Sequence, residues 1–374
     1  MMKTVYPQIG CESSALGFGC MRFPKKDDKI DREEAIRMVR HAIDNGVNYI
    51  DTAYPYHGGE SEEVVGLALK DGYRERVLLA TKLPVWKVEK HEDMMAILDE
   101  QLAKLGVEYV DFYLMHALSE ERLQKIRELD YKKFLDEAVA QGKIRYPAFS
   151  FHDNADTFLE ILNDYDWKMC QVQMNILDTD TQATLDGIRE AGRKNIGVVI
   201  MEPLRGGLMA NPPAEVQALY DAFPVKRSAV EWAFRFLYTM PEVKTILSGM
   251  STMDQVVDNL RIFDKAACEP LSDAEVELFE KVKEAYLSLV KTRCTGCRYC
   301  QPCPQGVKIP RIFQNYDETL LHGRNMDSYR EFYGKLSADN GDFSQCIDCG
   351  MCEDACPQHL PIRQYLREID EVAK

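Results

Sequence analysis

The 374-residue chain has no apolar run of 18 residues, so no segment reads as a transmembrane helix. Met1 to Gly10 holds no stretch long enough for the apolar region of a signal peptide. No basic stretch could track a phosphate backbone, and the formal charge of −15 excludes nucleic acid as a main partner. These absences lead to the expectation of a soluble, cytoplasmic protein that binds neither membrane nor nucleic acid. No G-x-G-x-x-G opens a helix, and Gly17-Phe18-Gly19 is too short to act as a dinucleotide fingerprint. Internal repeats, low-complexity tracts and Gly/Ser-rich tethers are also missing. Hydrophobic residues make up 45% of the chain, ample for a large buried core in a chain long for one domain.

Cysteine is the residue in excess. Twelve are present, and a compartment that keeps thiols reduced argues against disulfides. Cys11, Cys20, Cys170 and Cys268 are scattered, whereas eight crowd into two groups near the C-terminus. The first group is Cys294, Cys297, Cys300 and Cys303, with Pro304 next; the second is Cys346, Cys349, Cys352 and Cys356, with Pro357 next. Three thiolates at C-x₂-C-x₂-C spacing can wrap three irons of one cubane from a single tight loop. A remote fourth cysteine followed by proline completes the cage. Two [4Fe–4S] clusters are therefore expected. In two-cluster ferredoxins the fourth cysteine of each group serves the other cluster. On that logic Cys294, Cys297, Cys300 and Cys356 hold one cluster, and Cys346, Cys349, Cys352 and Cys303 hold the second. The first group ends on an x₂ spacing where the second has x₃, so uncrossed ligation stays open. Zinc ribbons would leave the third cysteine of each triple idle, and haem attachment needs a His after C-x-x-C that is absent. The stretch from Pro304 to Gln345 is rich in helix formers, and the module resembles helical dicluster ferredoxins more than the short two-hairpin kind.

Upstream, strand-like and helix-like segments alternate, the pattern of parallel βα units. Asp31 reads as an N-cap with Glu34 three residues on; Ala35, Val39, Ala42 and Ile43 form a buried stripe, and Gly46 stops the helix. Apolar strands are expected at Leu16–Gly19, Val47–Ile50, Val77–Ala80, Val110–Met115, Ile144–Phe149, Met169–Val172, Gly197–Met201 and Val243–Leu247. Eight units fit a closed (β/α)₈ barrel better than an open sheet. The barrel is expected over residues 1–265, a connecting helix over 266–291 with a capping box at Ser272 and Glu275, and the iron–sulfur module over 292–374. Chemistry in such barrels sits where the strands end. The polar residues there are Asp51 and Tyr56, Lys82, His116 and Ser150. Asp, Tyr, Lys and His on one rim can donate a proton: a Lys⁺ beside a phenol lowers its pKa, an Asp holds the Lys, and a neutral His orients a carbonyl.

Asp51-Thr52-Ala53-Tyr54-Pro55-Tyr56, Thr81-Lys82 and Tyr113-Leu114-Met115-His116 resemble the tetrad motifs of aldo/keto reductases. Gly142 to Arg145, Gln171 to Asn175 and Pro203 to Gly207 fit the same family, and the resemblance covers roughly residues 4–265. It implies Tyr56 as general acid, Lys82 and Asp51 tuning it, and His116 orienting the carbonyl, with hydride coming from NADP or NAD. It further implies that Ser150 and Gln171 hold the carboxamide, with Met201 where an aromatic ring often stacks on the nicotinamide. Pro203, Leu204 and Gly207 would contact the pyrophosphate. Ser248, Gly249, Met250, Gln255 and Asn259 would grip the adenosine end, with Gly19 and Met21 adding contacts after the first strand. Trp86 could line the substrate pocket. Phe151 stands where many members have Asn. Gly249 and Gln255 occupy positions that often carry Lys and Arg for a 2′-phosphate; Arg205 or Arg261 could substitute, and NADP against NAD stays open.

The implied function is an oxidoreductase acting on small carbonyl or quinone-like compounds, with clusters wiring it to an electron-carrier protein. Two alternatives stay open: an electron-transfer or redox-sensing protein whose barrel no longer reduces carbonyls, or a reductase whose clusters are only structural.

Overall fold

The computed structural model describes residues 1–294, 300–323, 325–356 and 359–374. Eight parallel strands close into a barrel in chain order: β1 (Leu16–Gly19), β2 (Tyr49–Asp51), β3 (Leu78–Leu83), β4 (Val110–Leu118), β5 (Ile144–Phe151), β6 (Met169–Gln173), β7 (Gly197–Met201) and β8 (Val243–Ser248). All eight expected strands form. Several run past the apolar stretch at their C-terminal ends, because the ladder continues: Lys82 pairs with Leu114, and Met115 with Phe149.

Side-chain alternation along these strands builds the site. Tyr49, Leu78, Ala80, Phe112, Leu114, Ala148, Met169 and Val199 belong to one buried cluster inside the barrel. Two residues further along each strand, on the same face, come Asp51, Lys82, His116, Ser150, Gln171 and Met201. The polar rim is thus the last layer of the inward-facing rows. Phe151 has the opposite parity; its ring packs 5.0 Å from Phe158 of the helix Ala155–Asp164, outside the barrel.

The other end of the barrel is closed by an antiparallel hairpin, Lys3–Tyr6 with Cys11–Ser14, which the residue pattern does not announce. Tyr6 is fully buried in the interior cluster, its ring 5.0 Å from Phe112. A second small hairpin, Lys25–Lys26 with Lys29–Ile30, is likewise not expected from the sequence. The helix Arg32–Asp44 forms as its residues dictate. The Asp31 side chain accepts the Glu34 N–H, and Gly46 follows the helix at φ +97°.

The chain divides into two compact units, residues 1–205 with 231–271, and residues 206–230 with 272–374. All eight strands lie within the first. In the second, the helix Asp273–Leu289 opens with the expected Ser272/Glu275 capping box. The helices Ile309–Leu321, Met326–Ala338 and Ile362–Ala373 enclose a core that includes Ile312, Phe313, Tyr329, Leu366 and Ile369. The C-terminal region is mainly helical, as its composition suggests. Among the described residues no helix is long and apolar enough to cross a membrane.

Candidate active site

Lys82, fully buried at the end of β3, organises the rim. Its Nζ donates to both carboxylate oxygens of Asp51 at 2.8 Å, to the Thr52 carbonyl at 2.7 Å and to the Tyr56 hydroxyl at 3.4 Å. Burial alone would discharge Lys82; the two-oxygen contact with Asp51 outweighs it, and the ammonium is held above its ordinary pKa. The same burial pushes the Asp51 carboxyl up, against the pull of Lys82. Tyr56 comes from the turn after β2, and the ammonium sits 4.9 Å from its ring centroid. As expected, Lys82 pulls this phenol's pKa down, but burial pushes harder, and the net direction is up.

His116 faces Tyr56 edge-on, ring centroids 6.2 Å apart. Burial holds its imidazole well below the ordinary value, and Lys82, His152 and Arg122 add to that, so the ring is neutral near pH 7. Its Nδ1 is buried without a partner among the described residues. Trp86 packs on it at 5.1 Å. Asp51, Tyr56, Lys82 and His116 therefore meet in one place.

The other rim residues have definite partners. Ser150 Oγ accepts the Ala117 N–H at 2.7 Å. Gln171 is buried, its Nε2 3.8 Å from the Met201 sulfur and its Oε1 without a partner among the described residues. Ser248 has the outward parity, and Asn259 donates to its Oγ at 2.9 Å. The Gln255 side chain accepts the Ser251 N–H at 2.7 Å. Gly19 lies close against the β8 end: a Cβ there would sit 3.3 Å from the Ser248 carbonyl oxygen. At Gly249 a Cβ would press on the Arg22 side chain at 3.0 Å. Met250 is buried, and Met21 is exposed. After β7, Pro203 is buried and Leu204 half-buried. Gly207 adopts φ +99°, a backbone only glycine takes without strain. The two arginines that could substitute for a phosphate contact are already engaged. Arg205 lies 3.7 Å from Asp178, and Arg261 pairs with Asp258 at 2.9 Å.

The cysteine groups are organised separately, within the second unit. Cys300, Cys303, Cys346, Cys349 and Cys352 line one solvent-open cavity together with Ile347, Leu366 and Arg363. Cys356 is buried, and Cys294 and Cys300 pack against the same helical core. Cys297 lies outside the described residues. Among the described residues no three ligating side chains close on a single ion; the cysteines ring a space instead. Two charged residues hold the loops. The Asp317 carboxylate accepts the N–H groups of Lys291, Thr292 and Arg293 at 2.9 Å each, and the Thr292 hydroxyl at 2.7 Å. Thr292 Oγ1 in turn accepts the Cys294 N–H at 3.2 Å. Arg363 grips Glu353 at 2.7 Å and the Asp348 carbonyl at 3.2 Å, which fixes the turn around Cys349.

The profile of the aldo/keto reductase family matches residues 15–284, well over half the chain. The chain belongs to the aldo/keto reductase family. A second profile, that of the 4Fe-4S dicluster domain, matches residues 293–360, so this aldo/keto reductase is an oxidoreductase-family barrel joined to an iron–sulfur domain. It is 29% identical over 213 residues to probable aldo-keto reductase 1 of Glycine max, covering 53% of this chain and 58% of that relative. The match thus spans little more than half of the Glycine max protein's length. It is 23% identical over 300 residues to the uncharacterized oxidoreductase YqkF of Bacillus subtilis, covering 71% of this chain and 92% of that one. Among solved structures, the holo form of an aldo-keto reductase from Bacillus halodurans superposes with a TM-score of 0.64 at 25% identity, covering 75% of this chain and 96% of that one. An aldo/keto reductase from Klebsiella pneumoniae, solved with NADP and acetate, gives 0.61 at 24%, covering 76% and 96%, and shares the fold.

Sequence reasoning missed the shell behind this reductase's Lys82. Gln101 Nε2 donates to the Lys82 carbonyl at 3.1 Å and to Glu62 at 2.6 Å, while Thr81 donates to Glu62 and Tyr113 to Gln101, each at 2.7 Å. Glu62 and Gln101 are polar residues at buried helix positions, and that mismatch was the available signal. His57, at φ +52°, accepts the Phe23 N–H at 3.3 Å and ties the Tyr56 turn to the segment after β1.

Proposed function

We propose that this protein is a nicotinamide-dependent reductase of carbonyl or quinone-like compounds, with two [4Fe–4S] clusters that connect it to a one-electron carrier. One observation carries the reading: the Tyr56 hydroxyl, Lys82, Asp51 and His116 converge at the barrel's C-terminal rim.

Each residue has a task that follows from its surroundings. Tyr56, kept protonated by burial, gives its proton to the carbonyl oxygen. The Lys82 ammonium, beside it, stabilises the phenolate that remains, and Asp51 with the Thr52 carbonyl keeps Lys82 in place. Neutral His116 presents a ring N–H to the same oxygen without competing for the proton. When bound, a reduced nicotinamide supplies the hydride to the carbonyl carbon. The fit of that group is supported by Gln171, whose buried Oε1 has no partner among the described residues and suits a carboxamide N–H₂. Ser150 and Met201 stand on either side of it in the rim, and the Klebsiella pneumoniae protein of the same fold was solved with NADP. Gly19, Leu204, Gly249 and Asn259 are proposed for the rest of NADP or NAD.

The chemistry of the cysteine set supports the clusters. On the spacing logic, Cys346, Cys349, Cys352 and Cys303 would hold one of them, and Cys294, Cys297, Cys300 and Cys356 the other; Cys300 lines the same cavity as the first four. Each centre normally carries one electron whereas a nicotinamide moves two, so a quinone-like substrate that takes electrons in either number is the natural link.

The test is an anaerobic titration with NADPH, then NADH, with and without a quinone, followed by absorbance and EPR. Coenzyme binding, with cluster signals that grow once the quinone is present, is the expected result. Failure of both coenzymes to bind sinks the proposal.

A further inference from the structure

Arg122 has no assigned task, and its placement asks for one. It lies in the first turn of the helix Glu120–Glu128, which follows β4 and therefore begins just beyond His116. The side chain folds back: one guanidinium N–H donates to the Ala117 carbonyl at 2.6 Å, and the group sits 5.3 Å from the centroid of the Trp86 ring. Trp86 in turn lies 5.1 Å from His116, and His116 lies 6.2 Å from Tyr56. A row of rings thus runs from the proposed proton donor to a cation. Trp86 is 40% exposed, a large apolar ring left open at the mouth of a polar site.

The charge of Arg122 is uncompensated. Many other barrel arginines sit on carboxylates, among them Arg32 on Glu63, Arg40 on Asp71, Arg76 on Asp44 and Arg127 on Asp164. Among the described residues no carboxylate oxygen lies within 4.0 Å of the Arg122 guanidinium. In a chain of net charge −15, acidic side chains are plentiful, so an unpaired guanidinium beside the active site stands out. The groups whose charge acts on His116 are Lys82, His152 and Arg122, all basic. Stacking on Trp86 explains where the group rests but makes no use of its positive charge beyond the ring.

We propose that Arg122 binds an anionic substituent of the substrate, which makes planar, conjugated carbonyl compounds carrying a carboxylate the preferred substrate class. The carbonyl meets Tyr56 and His116, the planar body lies along Trp86, and the carboxylate reaches the guanidinium, whose fork matches it. This rests on the reductase reading above.

The test compares kcat/KM for 4-formylbenzoate with that for its methyl ester, which has the same ring and carbonyl but no charge. Wild type prefers the carboxylate by about tenfold, the worth of one modest charge-assisted contact. The preference falls as ionic strength rises, because an exposed charge pair is screened. Arg122→Met, which keeps the apolar stem, abolishes the preference, and Arg122→Lys retains part of it. A wild-type ratio near one, or a ratio unchanged in Arg122→Met, overturns the proposal. If Arg122→Met does not fold, the salt dependence of the wild-type ratio and the Arg122→Lys variant decide the matter. Turnover of neither compound by wild type refutes the reductase reading itself, and this proposal with it.

Discussion

Replacing Lys82 by Met would strand a carboxylate. Asp51 is 2% exposed, and Lys82 supplies its ion-pair partner, while also binding Thr52 and Tyr56. Removing one partner of a buried pair costs about 3–5 kcal/mol, because the remaining charge loses its compensation without regaining water. At roughly 2–4 °C per kcal/mol for a domain of this size, the melting temperature should fall by on the order of 10 °C near pH 8. The deficit should depend on pH with a definite sign. Burial is the largest influence on Asp51 and pushes its pKa up; without Lys82 nothing opposes that push. A carboxyl whose folded pKa lies above its unfolded value of about 3.9 leaves the fold most stable when protonated. Stability is then retained at low pH and lost as pH rises through the folded value. Circular dichroism melts of Lys82→Met at about pH 5 and about pH 8 should therefore show the larger deficit at the higher pH. The double variant Asp51→Asn/Lys82→Met, which removes both charges, should recover most of the loss. A single variant that melts with wild type, a deficit independent of pH, or a double variant no better than the single would each refute the reasoning.

Three further outcomes follow from the same structure. Burial raises the Tyr56 phenol and depresses His116, so carbonyl reduction should be flat from about pH 6 to about pH 9 and fall only as the phenol ionises; a transition centred near the ordinary His value of about 6.5 counts against it. If Cys303 joins Cys346, Cys349 and Cys352 around one cluster, Cys303→Ser and Cys346→Ser remove the same centre, and anaerobically purified double variant keeps the iron of either single; additive iron loss contradicts crossed ligation. Gly197→Ala would place a Cβ 2.2 Å from the Tyr6 ring that plugs the barrel, and should cost about 1–3 kcal/mol in urea unfolding; unchanged stability means the hairpin yields freely.

The barrel was legible because its strands are short apolar runs separated by well-capped helices, and period-two alternation carries inward parity straight into the rim. That parity puts Asp51, Lys82, His116 and Gln171 on the inner face, and it turns Phe151 outward and sends Ser248 to Asn259. Tyr56 is different. It leaves a turn, and only the motif singled it out from Tyr54. What stayed hidden depends on atoms or packing that residue types do not announce. The Thr52 contact is a backbone carbonyl. The Lys3–Tyr6 hairpin is too short to show alternation. The upward shift of Tyr56 arises from burial, which no spacing reveals. The cysteine spacing points to the class of centre, whereas the Asp317 and Arg363 clamps needed the fold to bring helices onto the loops.

The central claim is that Tyr56 donates the proton in a nicotinamide-dependent carbonyl reduction. The most direct test is the turnover of an aromatic aldehyde by Tyr56→Phe with NADPH and NADH, alongside coenzyme binding followed by fluorescence. The hydroxyl is the only group removed, and Lys82 keeps Asp51 and Thr52. The account predicts that the coenzyme still binds while turnover drops about 10²–10⁴-fold, the usual contribution of a positioned acid. Turnover within a few-fold of wild type would contradict it.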